Sequence, residues 1–164
     1  MKNIILIGMP GAGKSTVGVL LAKSLLMDFC DTDLIIQKQC SKALCDIIND
    51  VGISQFIATE NDIIASQAFT NCVVATGGSA VYGEEAMHNL CKESIVVYLK
   101  VTAEELSKRI LNIKTRGIAM KDGTTIDALY DERAPLYEKY ADITVDCEGL
   151  TPEQCVDMIA KAMI

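Results

Sequence analysis

The sequence predicts an α/β protein of three layers, with a five-stranded parallel sheet flanked by helices on both faces. Three observations lead there. Short apolar runs recur along the chain, each stops at a turn or helix signal, and segments of helical period separate them. Strands kept apart by helices need crossover connections, and crossovers give a parallel sheet covered on both sides.

The runs suited to buried strands are Asn3 to Ile7, Cys72 to Ala75, Ile95 to Leu99 and Ile143 to Val145, with a short fifth strand expected at Asp28 to Cys30. Helices are expected near Lys14 to Leu26, Asp33 to Gln39, Lys42 to Asn49, Gln55 to Phe69, Gly83 to Cys91, Ala103 to Ile110, Thr125 to Tyr140 and Pro152 to Met163. Leu44, Ile47, Ile48 and Val51 illustrate the apolar spacing of three and four that lines one helix face. Thr151 before Pro152 makes a good start for the last helix, because threonine can cap and proline suits the first turn. Residues 112–124 fit neither period. Their Lys114, Arg116, Lys121 and two glycines suit a plain surface loop, or a basic lid over phosphate.

Composition narrows the class of partner. The chain has 164 residues, half of them hydrophobic, which suits one domain with its own core. The 22 acidic and 15 basic residues leave a net charge of -7, a field that repels nucleic acid and anionic membranes. An uncharged stretch runs from Ile63 to Gly83, but Gln67, Asn71, Thr76, Gly77, Gly78 and Ser79 interrupt it, so no membrane span is expected. The apolar run after Met1-Lys2-Asn3 is too short for a signal sequence, so the protein is expected in the cytoplasm. Seven cysteines without a C-x-x-C pair are expected to stay reduced, and the lone His88 offers no zinc site.

The chemistry is carried first by Gly8-Met9-Pro10-Gly11-Ala12-Gly13-Lys14-Ser15, which satisfies G-x-x-x-x-G-K-[ST] between a strand and a helix. Glycines there let the backbone wrap a polyphosphate with its N–H groups pointing inward, and the helix N-terminus adds favourable partial charge. Lys14 can reach the outer phosphates and the Ser15 hydroxyl can ligate magnesium. Asp31-Thr32-Asp33 follows the second strand. Alternate carboxylates there face one side, so one can serve the magnesium shell and the other a substrate hydroxyl, unless Asp33 only caps the next helix. Thr76-Gly77-Gly78 follows the third strand, where paired glycines allow either a close ligand or a tight turn. Arg133, in a helical pattern that tolerates Pro135, suits a carboxylate or phosphate, or is a solvated helix arginine.

These residues resemble the shikimate kinase family, small enzymes that phosphorylate the 3-hydroxyl of shikimate with ATP. The likeness spans nearly the whole chain: Gly8 to Thr16 with Gly18, Phe29 to Asp33, Gly52 with Phe56 and Glu60, Ala75 to Gly78, Val97 to Leu99, and Arg133 to Tyr137 with Ala141-Asp142. It implies a P-loop fold of the nucleoside monophosphate kinase type, a single domain over 1–164, a lid near 112–124 and substrate-binding helices near 33–61. It implies ATP held by Gly11, Ala12, Gly13, Lys14, Ser15 and Thr16, with Arg109 packed on the adenine. Ser15 and Asp31 would hold magnesium, and Asp33 would bind and activate the acceptor hydroxyl. Gly77 and Gly78 would lie against the substrate ring, Arg133 would pair with its carboxylate, and Arg116 would be the lid arginine on the transferring phosphate. A monomer is implied as well.

Three positions depart from the family pattern. Ile57 stands where a second carboxylate-binding arginine is usual, Ser79 replaces the third glycine of Thr-Gly-Gly-Gly, and Arg116-Gly117-Ile118 replaces Arg-Pro-Leu, which implies a looser lid hinge. Loss of one charge-assisted bond to a carboxylate is worth roughly 1.5 to 3 kcal/mol, about ten- to a hundredfold in affinity. An acceptor other than shikimate, or a nucleotide-binding module without catalysis, is the alternative that these departures leave open.

Overall fold

The computed structural model describes residues 2–110 and 117–164. Its sheet has five parallel strands: β1 (Asn3–Ile7), β2 (Asp28–Asp31), β3 (Cys72–Ala75), β4 (Ser94–Lys100) and β5 (Ile143–Asp146), in the order β2-β3-β1-β4-β5. All five residues of β1 and all four of β3 are buried, as strands covered on both faces must be, whereas β2 at one edge is half-exposed. Ile4 pairs with Val73 on one side and Ile95 on the other, and Asp31 lies level with Ala75. The order therefore sets the carboxyl ends of β2, β3 and β1 side by side. That is the edge where open α/β sheets bind ligands.

The helices are α1 (Lys14–Leu25), α2 (Thr32–Cys40), α3 (Leu44–Val51), α4 (Ile53–Ala65), α5 (Glu84–Cys91), α6 (Ala103–Arg109), α7 (Ile126–Tyr140) and α8 (Pro152–Ala162). Local chemistry sets most of their ends. Thr102, Thr125 and Thr151 each accept a hydrogen bond from a first-turn amide, and Thr151 with Gln154 completes a capping box before Pro152. Gly52, at φ 82°, ends α3 and begins α4.

Most boundaries shift by one or two residues from expectation, α3 among them at Leu44–Val51, and two differences have clear reasons. The helix expected to continue to Phe69 stops at Ala65, because the Ser66 hydroxyl and the Gln67 amide both donate to the Ile63 carbonyl. Asn89 then donates to the carbonyls of Ile64 and Gln67, which turns the chain into β3. The cap of α2 is Asp31, whose Oδ1 accepts from the Asp33 amide at 2.9 Å, so Asp33 sits in the first turn with its carboxyl free of capping. A 3₁₀ turn at Ala80–Tyr82, not expected from the sequence, joins β3 to α5.

A main apolar cluster fills the space on both faces of the sheet, and a smaller one of Ile36, Leu44, Ile47, Phe56, Ile63 and Ala119 joins α2, α3 and α4. The helices expected to carry substrate thus share a core of their own. Among the described residues no helix is long and apolar enough to cross a membrane; the uncharged stretch from 63 to 83 is split between α4, β3 and the 3₁₀ turn.

Candidate active site

The glycine-rich turn between β1 and α1 is shaped by its backbone. Gly8 (φ 145°) and Gly13 (φ 94°) lie in the region that L side chains rarely adopt, and a Cβ on Gly8 would stand 2.7 Å from the Leu99 carbonyl oxygen. Gly13 caps α1 with no side-chain bond to the first turn, leaving that N-terminus to a ligand. Lys14 is buried, and its Nζ donates to the carbonyls of Gly8 at 2.7 Å and Met9 at 2.8 Å, so the ammonium is held inside the turn.

Two of the expected magnesium ligands meet directly. The Ser15 hydroxyl donates to Asp31 Oδ2 at 2.6 Å, across the ends of α1 and β2. An alcohol oxygen and a carboxylate are the oxygen ligands that suit a hard cation of the magnesium type. Asp33 lines a cleft together with Lys14 and Ser15. Burial and the Asp31 charge push its carboxyl up to about 6 against the pull of Lys14.

The two glycines after β3 are fixed by what surrounds them. A Cβ on Gly77 would lie 2.6 Å from Asp33 Oδ1 and 3.0 Å from Glu60 Oε2; one on Gly78 would lie 2.8 Å from Pro10 Cδ and 2.9 Å from Arg133 Nη1. The Gly77 amide donates to Thr32 Oγ1 at 3.2 Å. Close side-chain packing, from Asp33 and Glu60 at Gly77 and from Pro10 and Arg133 at Gly78, therefore favours glycine here, since neither has a positive φ.

Arg133 is no solvated helix arginine: it is 1 % exposed. Its Nε donates to Tyr82 Oη at 3.2 Å, its Nη2 to the Ala119 carbonyl at 2.8 Å, and its guanidinium lies 5.3 Å from the centre of the Tyr82 ring. Those contacts leave Nη1 beside Gly78, on the wall of the cleft. Tyr137, one turn along α7, donates to the Gly78 carbonyl at 2.6 Å and braces the same wall. The sequence assigns neither Tyr82 nor Tyr137 a task in the site; the four-residue spacing from Arg133 is the signal that marks Tyr137.

One cleft thus gathers Gly11, Gly13, Lys14, Ser15, Thr16, Asp33, Gly77, Gly78 and Arg133, with Leu44 and Phe56 as an apolar floor. Arg109 lies outside it, on the far side of the turn, where Nη1 donates to the Gly11 carbonyl at 3.4 Å and Nε to Glu105 at 3.1 Å. Arg116 falls outside the described residues. Gly117, at φ 67°, packs against α3, with the place of its Cβ 2.5 Å from that of Leu44, a seat closed to proline.

Comparison with known proteins agrees with this geometry. A family model described as shikimate kinase matches residues 10–164. A shikimate kinase of Thermodesulfovibrio yellowstonii is 37 % identical over 98 % of this chain and 94 % of its own length, and one of Francisella tularensis subsp. novicida is 36 % identical over 99 % and 95 %. Among solved structures, shikimate kinase from Acinetobacter baumannii in complex with shikimate superposes with a TM-score of 0.89 at 28 % identity, covering 99 % of this chain and 93 % of that one. The enzyme from Aquifex aeolicus gives 0.82 at 31 % identity over 98 % and 95 %. With the phosphate cradle, the acidic pair and a likeness that runs the length of both partners, the chain belongs to the shikimate kinase family.

Proposed function

We propose that this protein transfers the γ-phosphoryl group of ATP to a hydroxyl of shikimate. The observation that carries the reading is the single cleft in which the phosphate turn and the Asp33, Gly77, Gly78 and Arg133 cluster face each other. A nucleotide's outer phosphate and a small hydroxy acid bound there would be neighbours, and bringing reactants together supplies most of what phosphoryl transfer needs.

Each group then has a task. The amides of the turn around Gly11, Ala12, Gly13 and Thr16 hold the phosphate oxygens, and Lys14 balances charge on the outer ones. Magnesium, when bound, neutralises the phosphates; Ser15 would ligate it and Asp31 would steady it through water. Arg133 Nη1 pairs with the acceptor carboxylate. Asp33 takes the proton of the acceptor hydroxyl as the new O–P bond forms and the bond to the β-phosphate oxygen breaks, releasing ADP. An Asp33 carboxyl near 6 remains a carboxylate at neutral pH and is a stronger base than an ordinary one. Arg109 would border the adenine, and Arg116 would approach the transferring phosphate. The protein would act as a cytoplasmic monomer of one domain over 1–164, with substrate helices near 33–61 and a lid near 112–124. The net charge of -7 supports the absence of nucleic-acid or membrane partners.

Ile57 favours one second reading, a different hydroxylated acceptor, because on the acceptor side of the described cleft only Arg133 offers a cation for a carboxylate. ADP release measured over a panel of shikimate, quinate-like polyols and simple hydroxy acids separates the two. Shikimate is expected to give the highest kcat/KM, and Ile57→Arg to lower its KM by about tenfold through one added charge-assisted bond. A faster acceptor without a carboxylate, with no response to Ile57→Arg, would overturn shikimate. Turnover no greater with any acceptor than without one would leave only nucleotide binding.

A further inference from the structure

Glu60 lies beside the cleft and takes no part in the phosphoryl transfer described. It projects from α4, is 2 % exposed, and its Oε1 accepts from the Ser79 hydroxyl at 2.6 Å. Its Oε2 is buried and has no hydrogen-bond partner among the described residues, nor is any cation there within ion-pair distance of it. One turn earlier on the same helix, Ile57 packs into the small apolar cluster, so the position from which a basic residue would reach Glu60 carries no charge. Both departures in this region therefore fall on one carboxyl group. Ile57 withholds a cation, and Ser79 supplies a single neutral donor.

A buried carboxylate with one oxygen unsatisfied is costly, and a proton on that oxygen removes the charge. The surroundings push the same way. Oε2 and Asp33 Oδ1 flank one point beside Gly77, at 3.0 and 2.6 Å from it, so an ionised Glu60 would set a second negative charge against Asp33. Among the described residues the charged or titratable groups that act on it are Asp33 from α2 and Arg133 and Tyr137 from α7; α3 and α5 bring none. Burial is the largest influence and raises the carboxyl to about 7, with Asp33 adding to it and Ser79 and Arg133 opposing.

We propose that Glu60 is a positioning residue for the acceptor that works in its protonated form, held by Ser79, so that Arg133 presents its full positive charge to the acceptor carboxylate. This rests on the reading that Arg133 receives that carboxylate. When Glu60 ionises, its charge offsets Arg133 and repels the acceptor, so acceptor binding weakens as pH rises. Ser79 sets where this happens: its hydroxyl bond favours the ionised form, and its removal shifts the change to higher pH. The loss of the arginine at position 57 is thus answered by a neutral carboxyl in place of an ionic pair.

The test is calorimetric titration of the full-length protein with shikimate at pH 6, 7 and 8, alongside Glu60→Gln, Ser79→Ala and Ile57→Arg. Binding to the native protein should weaken about three- to tenfold from pH 6 to pH 8, the most that one proton of this pKa can impose. Glu60→Gln, which keeps shape and neutrality, should bind as the native protein does at pH 6 and stay tight at pH 8. Ser79→Ala should move the loss to higher pH, and Ile57→Arg should abolish it. A flat native profile, or a Glu60→Gln variant that binds weakly at every pH, overturns the proposal. Carboxyl carbon NMR of glutamate-labelled protein reads the protonation state without any acceptor: the resonance missing from Glu60→Gln should titrate near neutral pH, and one already ionised at pH 6 refutes the idea. Absence of shikimate binding at all three pH values would count against the acceptor assignment, while the NMR result would still decide for or against a protonated Glu60.

Discussion

Lys14→Ala should lower kcat for phosphoryl transfer by at least about two to three orders of magnitude, the cost of removing one preorganised charge from a developing phosphoryl transition state. The structure explains why the loss should be chemical and not structural. Lys14 opens α1, where alanine is a better helix former than lysine, and the apolar core is built elsewhere, on Ile4, Ile5, Leu6, Val17 and Leu21. The buried carbonyls of Gly8 and Met9 lose their donor, a cost of about 1–3 kcal/mol in stability that leaves the fold in place. Circular dichroism should therefore resemble that of the native protein, with a modestly lower thermal midpoint, while ADP release falls to background. A variant with native turnover would remove Lys14 from the mechanism.

Arg133→Lys is expected to have the next largest effect, and on a different constant. Charge is kept, but an ammonium cannot reach Tyr82 Oη, the Ala119 carbonyl and the cleft at once as the planar fork does. KM for shikimate should rise about ten- to a hundredfold, with kcat changed far less, since the lost bond is made to the bound acceptor as much as to the transition state. Arg133→Leu should add instability, because the Ala119 carbonyl and Tyr82 hydroxyl lose a buried partner, an effect of about 1–3 kcal/mol. Initial rates over a range of shikimate concentrations, with thermal midpoints for both variants, check this. Unchanged KM in Arg133→Lys would mean that the acceptor's carboxylate is bound elsewhere.

What can be read from the sequence follows the range over which each signal acts. The phosphate turn is local: its glycines, Lys14 and Ser15 occupy eight consecutive residues, and their spacing alone defines the backbone path. The parallel sheet is legible because strands buried on both faces have to be continuously apolar. Asp31 and Asp33 are expected, and found, at the end of β2, but which of them caps α2 depends on a side-chain rotamer that no pattern encodes.

Contacts between distant segments stay hidden. Arg133 looks like an exposed helix arginine until Tyr82, 51 residues away, and Ala119 are brought against it. Ser79 reads as a broken glycine motif, and only the folded chain shows its hydroxyl on Glu60, 19 residues upstream. Gly117 suggests freedom, yet in the structure it provides a close fit against Leu44. In each case the deciding partner lies on another element, beyond any periodicity along one.

Phosphorus NMR of the purified protein with magnesium, ATP and shikimate follows the transferred group itself. The γ-phosphate signal of ATP should disappear as ADP and a single new phosphate monoester on shikimate grow in equal amounts. ATP that persists, or that yields only inorganic phosphate, would refute phosphoryl transfer to shikimate.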